Sequence, residues 1–123
     1  MEIESRIKQK KKEWIMKYKK IVAIIRAEQL EAVEKRLKTL NVPGISVTKV
    51  KGYGEYANFF SNDWTSENAR IEIYCHPSKV DVIVNGIMEA AHSGLSGDGI
   101  VAVIPVENIY RIRTKSEAII EDC

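Results

Sequence analysis

No run of about 18 consecutive apolar residues occurs in the 123-residue chain, which excludes a membrane-spanning helix. Cysteine is almost absent. Cys75 and Cys123 are the only two, too few for a disulfide framework and without the CxxC spacing of a zinc knuckle. The opening MEIESRIKQKKKEW has no apolar h-region and does not read as a secretory signal, so a reducing, cytoplasmic compartment is expected. Histidine is equally scarce. His76 stands beside Pro77 and His92 at a helix end, with no Ser/His/Asp spacing, so no catalytic residue is assigned. Cys75 and His76 are neighbours at a strand end and point apart, so no metal site is assigned either.

What is present describes one ordinary domain. Apolar residues at 45% and charged residues at 29% allow a buried core and exclude overall disorder. The net charge of +2 conceals an uneven distribution. Residues 1–20 hold eight Lys/Arg against three Glu; that +5 leaves the other 103 residues at −3. A nucleic-acid-binding domain would spread positive charge over its folded face, so no nucleic-acid partner is expected. Residues 1–18 therefore read as a basic N-terminal extension and 19–123 as the folded domain. Ile3, Ile7, Trp14 and Tyr18 share one helical stripe in the extension, suited to docking on the body or on a neighbouring subunit.

The periodicity then alternates between two patterns. KKIVAIIR (19–26) reads as a buried strand, and residues 27–41 place Leu30, Val33, Leu37 and Leu40 on one helical face. Val42-Pro43-Gly44 ends that helix, and ISVTKVKG (45–52) is a β-branched strand. ARIEIYC (69–75) alternates strictly, with Ala69, Ile71, Ile73 and Cys75 on one side. Ser78 and Asp81 have capping-box spacing before a helix through Val80, Ile83, Val84, Ile87, Met88 and Ala91. IVAVIPV (100–106) is a wholly apolar strand and IYRIRT (109–114) a short final one. Two β-α-β units in one small domain predict a ferredoxin-like α+β fold, βαββαβ, with an antiparallel sheet and both helices on one face.

Three segments carry chemistry. SGLSGDG (93–99) is a glycine-rich stretch whose backbone N–H groups can converge on an anion; the alternative is a helix C-cap and tight turn. Arg111 and Arg113, two apart on the predicted final strand, would point to the same side and pair as a phosphate clamp, or else form surface ion pairs with Glu. The insertion between strands two and three holds Tyr53, Tyr56, Phe59, Phe60 and Trp64, five of the nine aromatics in twelve positions. Such a group packs on the body or a neighbouring subunit, the favoured reading, or forms a partner surface. Its polar tip, Ser61-Asn62-Asp63, is then the part offered to a partner.

VTKVKGYG (47–54), ARIEIY (69–74), SGLSGDGIVAV (93–103) and IYRIRT (109–114) together resemble the PII nitrogen-regulatory protein family, as a divergent PII-like member. The resemblance implies a homotrimer of ferredoxin-like subunits that binds ATP or ADP in clefts between subunits. It also implies a loop after strand two, the T-loop, that docks on a transporter or enzyme. Carried over by position, it assigns phosphate contacts to Gly97, Asp98 and Gly99, and clamping from an adjacent subunit to Arg111 and Arg113. Gly54, Ser46 and Tyr74 match positions lining base and sugar, and Tyr56, Ser61, Asn62 and Asp63 fall in the partner-docking loop.

Departures from the family pattern set further expectations. Ile100 stands where the family has a phosphate-facing lysine, which implies weakened binding of ADP, AMP or ATP. His92 replaces the usual arginine at the start of the glycine-rich stretch. Glu55-Tyr56 replaces an Arg-Gln pair and Asn68 a lysine, which argues against magnesium and 2-oxoglutarate. The reading is a cytoplasmic, non-enzymatic regulator of a transport protein or enzyme, with no direct membrane insertion. The alternatives are a cation-binding tolerance trimer of the same subunit fold, a ferredoxin-like phosphotransferase using His92 or Arg111, and an RNA binder. The last would need aromatics on the central strands, where KKIVAIIR has none and ARIEIYC one.

Overall fold

The computed structural model describes residues 18–52 and 66–118. Strand β1 (Tyr18–Arg26) passes through a 3-10 turn (Ala27–Gln29) into helix α1 (Leu30–Thr39), followed by β2 (Ser46–Gly52) and β3 (Ser66–Cys75). A second 3-10 turn (Pro77–Lys79) leads into α2 (Val80–Ala91), and β4 (Gly99–Val106) completes the main sheet. The strand order is β2-β3-β1-β4, and every neighbouring pair is antiparallel. Each helical crossover skips one strand position, which leaves β1 and β3 in the centre. This is the ferredoxin-like α+β arrangement that the two β-α-β patterns predict.

Side-chain alternation builds the core. Ile21, Ala23 and Ile25 of β1 and Ala69, Ile71, Ile73 and Cys75 of β3 all face the helices and are buried. Val33 and Leu37 of α1 and Ile83, Ile87 and Ala91 of α2 close over them. Each aliphatic side chain removed from water contributes about 1.5–3 kcal/mol, so this layer supplies most of the favourable term. Met88, expected on the same face of α2, instead lies at its margin and is half exposed.

Three local features differ from the sequence reading. Helix α1 stops before its Val-Pro-Gly breakers, because Asn41 takes φ 61°. The Val42 N–H then donates to the Leu37 carbonyl and Asn41 N–H to that of Lys38, satisfying the last turn in a Schellman pattern. The Ser78–Asp81 capping box does not cap α2: Ser78 sits inside the 3-10 turn, and His76 Nδ1 accepts from the Ser78 N–H at 3.1 Å. The predicted strand 109–114 is a hairpin. β5 (Tyr110–Arg111) pairs with β6 (Ser116–Glu117) around a turn in which Lys115 has φ 54°. That reversal ends the alternation after Arg111, so Arg113 lies in the turn rather than beside Arg111 on a strand.

β4 is an edge strand. Among the described residues it pairs only with β1, and Ile100, Val103 and Ile104 remain between about a third and a half exposed. At its first residue the backbones of β1 and β4 close tightly. Gly99 has φ 112°, and a Cβ there would lie 1.8 Å from the Ile24 carbonyl oxygen. Gly99→Ala should therefore lower unfolding free energy by roughly 2–4 kcal/mol in urea denaturation. Gly44→Ala, where a Cβ meets nothing within 4 Å, should change it by less than about 1 kcal/mol.

Candidate functional site

Helix α2 ends at Ala91, and His92 is already extended (φ −66°, ψ 128°), so no glycine serves as its left-handed cap. The glycines are used further on, where Gly94 (φ 84°) and Gly97 (φ 90°) turn the loop 92–98 around the carboxylate of Asp98. That carboxylate accepts from the backbone N–H of Ser93 at 2.8 Å and of Gly94 at 2.9 Å, and from the Ser93 hydroxyl. Arg26, the last residue of β1, donates from Nε to Asp98 Oδ1 at 3.3 Å and from Nη2 to the Ser96 carbonyl at 2.5 Å. His92 Nδ1 lies 3.9 Å from the same carboxylate.

Partial burial by itself raises the Asp98 pKa. The Ser93 hydroxyl, the two backbone N–H groups and Arg26 outweigh it and bring the pKa from 3.8 down to about 2. Asp98 thus acts as the loop's internal anion and claims the Ser93 and Gly94 donors for itself. Its side chain braces the loop, and a contact from this residue to a phosphate would have to come from its backbone. Sequence reading passed over Arg26 because 72 positions separate it from Asp98 and nothing local marks the pairing.

Most of the remaining candidates divide between the two ends of the sheet. Gly97, Asp98 and Gly99 lie at the end where Ile25 pairs with Gly99 and Arg26 with Asn68. Tyr74 pairs with Lys20, towards the opposite end, where Tyr18 meets Val106, and Ser46 pairs with Glu72 at the middle of the sheet. Arg111 and Arg113 follow β4 at that same far end and are exposed. At about 3.3 Å per residue, β4 separates the glycine-rich loop from the arginine hairpin by roughly 25 Å. One chain does not bring these groups together. Gly54, Tyr56, Ser61, Asn62, Asp63, the aromatics from Tyr53 to Trp64, and the helical stripe of the extension before Tyr18 lie outside the described residues.

The open face of the sheet carries a short charge relay. Glu72 takes Lys20 at 3.4 Å and Arg70 at 2.9 Å, and Lys20 Nζ stands 5.7 Å from the centre of the Tyr74 ring. Among the described residues, no three His, Cys, Asp or Glu side chains group as a metal site would require. No helix among them is long and apolar enough to cross a membrane.

A family model described as "Nitrogen regulatory protein P-II" matches residues 18–116, the whole span from the start of β1 to the hairpin. The chain belongs to the P-II family. It is 36% identical over 103 residues to the nitrogen regulatory protein P-II of Azospirillum brasilense, covering 78% of this chain and 92% of that one. It is also 36% identical over 107 residues to the P-II protein of Cyanidium caldarium, covering 81% and 95% respectively. The crystal structure of Arabidopsis thaliana PII bound to citrate superposes with a TM-score of 0.70 at 29% identity, covering 83% of this chain and 89% of that one. As a P-II protein, the chain is a nitrogen-regulatory signal protein, a regulator by family.

The brace on the glycine-rich loop has a pH signature. Because folding depresses the Asp98 pKa, the stability it contributes is complete above about 3.8 and is lost as pH falls through about 2. Asp98→Asn should therefore destabilise the protein at pH 7. The gap between wild type and variant in urea denaturation should close as pH is lowered from 5 towards 2.

Proposed function

We propose that this P-II protein is a homotrimer that binds an adenine nucleotide (ADP, AMP or ATP) or another small anion between subunits. It signals occupancy to a transport protein or an enzyme in the cytoplasm through the loop at 53–67. The observation that carries this reading is the division of the candidate residues between opposite ends of one sheet. A braced glycine-rich loop at one end and two exposed guanidiniums at the other can meet a common ligand only when a second copy supplies one of them. The half-exposed apolar row on β4 supports the same assembly, since an uncovered apolar edge invites pairing with another chain.

The groups fit a phosphate. Gly97 and Gly99 keep side chains away from the loop backbone, Arg26 and Asp98 hold it rigid, and Arg111 and Arg113 offer charge-assisted donors from the hairpin. Tyr74, with Lys20 over its ring, and Ser46 would line the base and sugar, and Gly54 would complete that wall. Tyr56 and the Ser61-Asn62-Asp63 tip would meet the regulated partner. Ile100, more than a third exposed beside Gly99, contributes no charge where a cation would assist the phosphates. Magnesium and 2-oxoglutarate are accordingly not required in this reading, and ADP or AMP should bind at least as well as ATP.

Light scattering should give the mass of three chains at micromolar concentration; a monomer would overturn the between-subunit site. Calorimetry with ADP should show binding that Arg111→Ala and Arg113→Ala each weaken roughly 10-fold or more while the trimer persists. Ile100→Lys should tighten ATP by about 10-fold or more through one restored charge-assisted contact. Tight ATP binding that depends on 2-oxoglutarate in the unaltered protein would refute the role given to Ile100.

A further inference from the structure

A pocket lies on the helix side of the sheet, between the C-terminal half of α2 and the start of β4, with a volume of about 260 Å³. Its walls are Ile25, Val84, Ile87 and Val101, and its rim carries Met88 and His92, both well exposed. The space follows from the fold. β4 is the edge strand beyond the cover of α2, and at this level Ala91 and Gly99 bring almost no bulk. Gly99 cannot grow larger, because the Ile24 carbonyl occupies the place of its Cβ.

We propose that this pocket binds a small aromatic or branched aliphatic carboxylate, its apolar body between Ile87 and Val101 and its carboxylate at His92. The volume decides the size: an apolar protein cavity of about 150 Å³ already accommodates benzene, so this one takes a bicyclic ring. The lining decides the body, since buried aliphatic walls reward an apolar occupant and leave water few partners. The rim decides the head group. Two polar side chains reach the pocket, and the Asp98 carboxylate is already satisfied by Ser93, Gly94 and Arg26. His92 makes no contact closer than 3.9 Å to that carboxylate and has a ring N–H to give. A ligand with an acceptor end is therefore matched, and a cationic one would compete with Arg26 for a saturated group. Asp98, Gly99 and Ile100 also line the phosphate site proposed above, but on this side the one free side-chain donor suits a single carboxylate rather than a polyphosphate. The flexible thioether of Met88 adapts the mouth to rings of different shape.

The test is a titration of the full chain with 2-naphthoate, followed by amide NMR shifts and by the fluorescence of the naphthyl ring, with 2-naphthamide as the uncharged control. Saturable binding with Kd of about 0.1–1 mM is expected, with shifts centred on Ile25, Ile87 and Val101. His92→Ala should weaken naphthoate about 5- to 10-fold and the amide by less, since its carbonyl accepts from the same N–H without charge assistance. Met88→Trp and Val84→Phe, which fill the pocket from its rim and wall, should each abolish binding while a thermal melt shows the protein folded. No saturation at about 5 mM, shifts centred elsewhere, or undiminished binding by a folded, filled variant would overturn the site. Equal affinity for naphthoate and naphthamide would overturn the role of His92. If a filled variant does not fold, the location of the shifts in the unaltered protein decides.

Discussion

Arg26 ties the sheet to the loop that the rest of the candidate site depends on. It is the last residue of the strand that lies between β3 and β4, paired with Asn68 of β3 and directly after the Ile25–Gly99 pair that ends the β1–β4 ladder. From there its guanidinium reaches Asp98 and the Ser96 carbonyl, while Asp98 gathers the Ser93 and Gly94 N–H groups. Hydrogen bonds to charged groups contribute about 1.5–3 kcal/mol each, and removing one partner leaves the other charge half-buried and uncompensated. A loop rich in glycine would otherwise sample many conformations, because glycine loses the most freedom on ordering. The Arg26–Asp98 contact converts that liability into a defined backbone surface. Gly99 completes it by letting β4 begin within contact of the Ile24 carbonyl.

The same geometry underlies the proposed assembly of this P-II chain. β4 is apolar along its length but, among the described residues, flanked by a strand on one side only, and Val103 and Ile104 are each about 43% exposed. The strand also carries the glycine-rich loop and the arginine hairpin to opposite ends of the subunit. In the proposed trimer a ligand site built from both would be incomplete in one copy, and covering the edge would also complete the site. Assembly and ligand binding would then be linked, since whatever binds only the assembled form stabilises it by mass action.

Much of the fold is legible in the residues because it follows from local period. The alternation of Ala69, Ile71, Ile73 and Cys75 specifies a strand with one buried face, and the four-residue stripe of α1 specifies a helix with one apolar side. Two such β-α-β units, subject to antiparallel pairing and the rules of crossover, leave few topologies open. The failures are equally instructive. The Ser78–Asp81 spacing satisfies the capping pattern, yet His76, two residues earlier, reaches the orphan N–H because Pro77 begins the turn. Arg111 and Arg113 satisfy the strand period, yet a left-handed Lys115 folds the segment back on itself.

The sequence by itself determined the order of strands and helices, the face each one buries, and the position of a glycine-rich turn before the last long strand. Those properties depend on neighbours two, three or four residues apart, so they are written locally. Tertiary structure alone decided that Arg26 braces Asp98, that Asp98 is the loop's own anion, that β4 forms an edge with a pocket behind it, and that the arginine hairpin lies a strand's length from the glycines. Each of these joins groups whose distance in space is set by how the sheet closes, and no spacing along the chain encodes it.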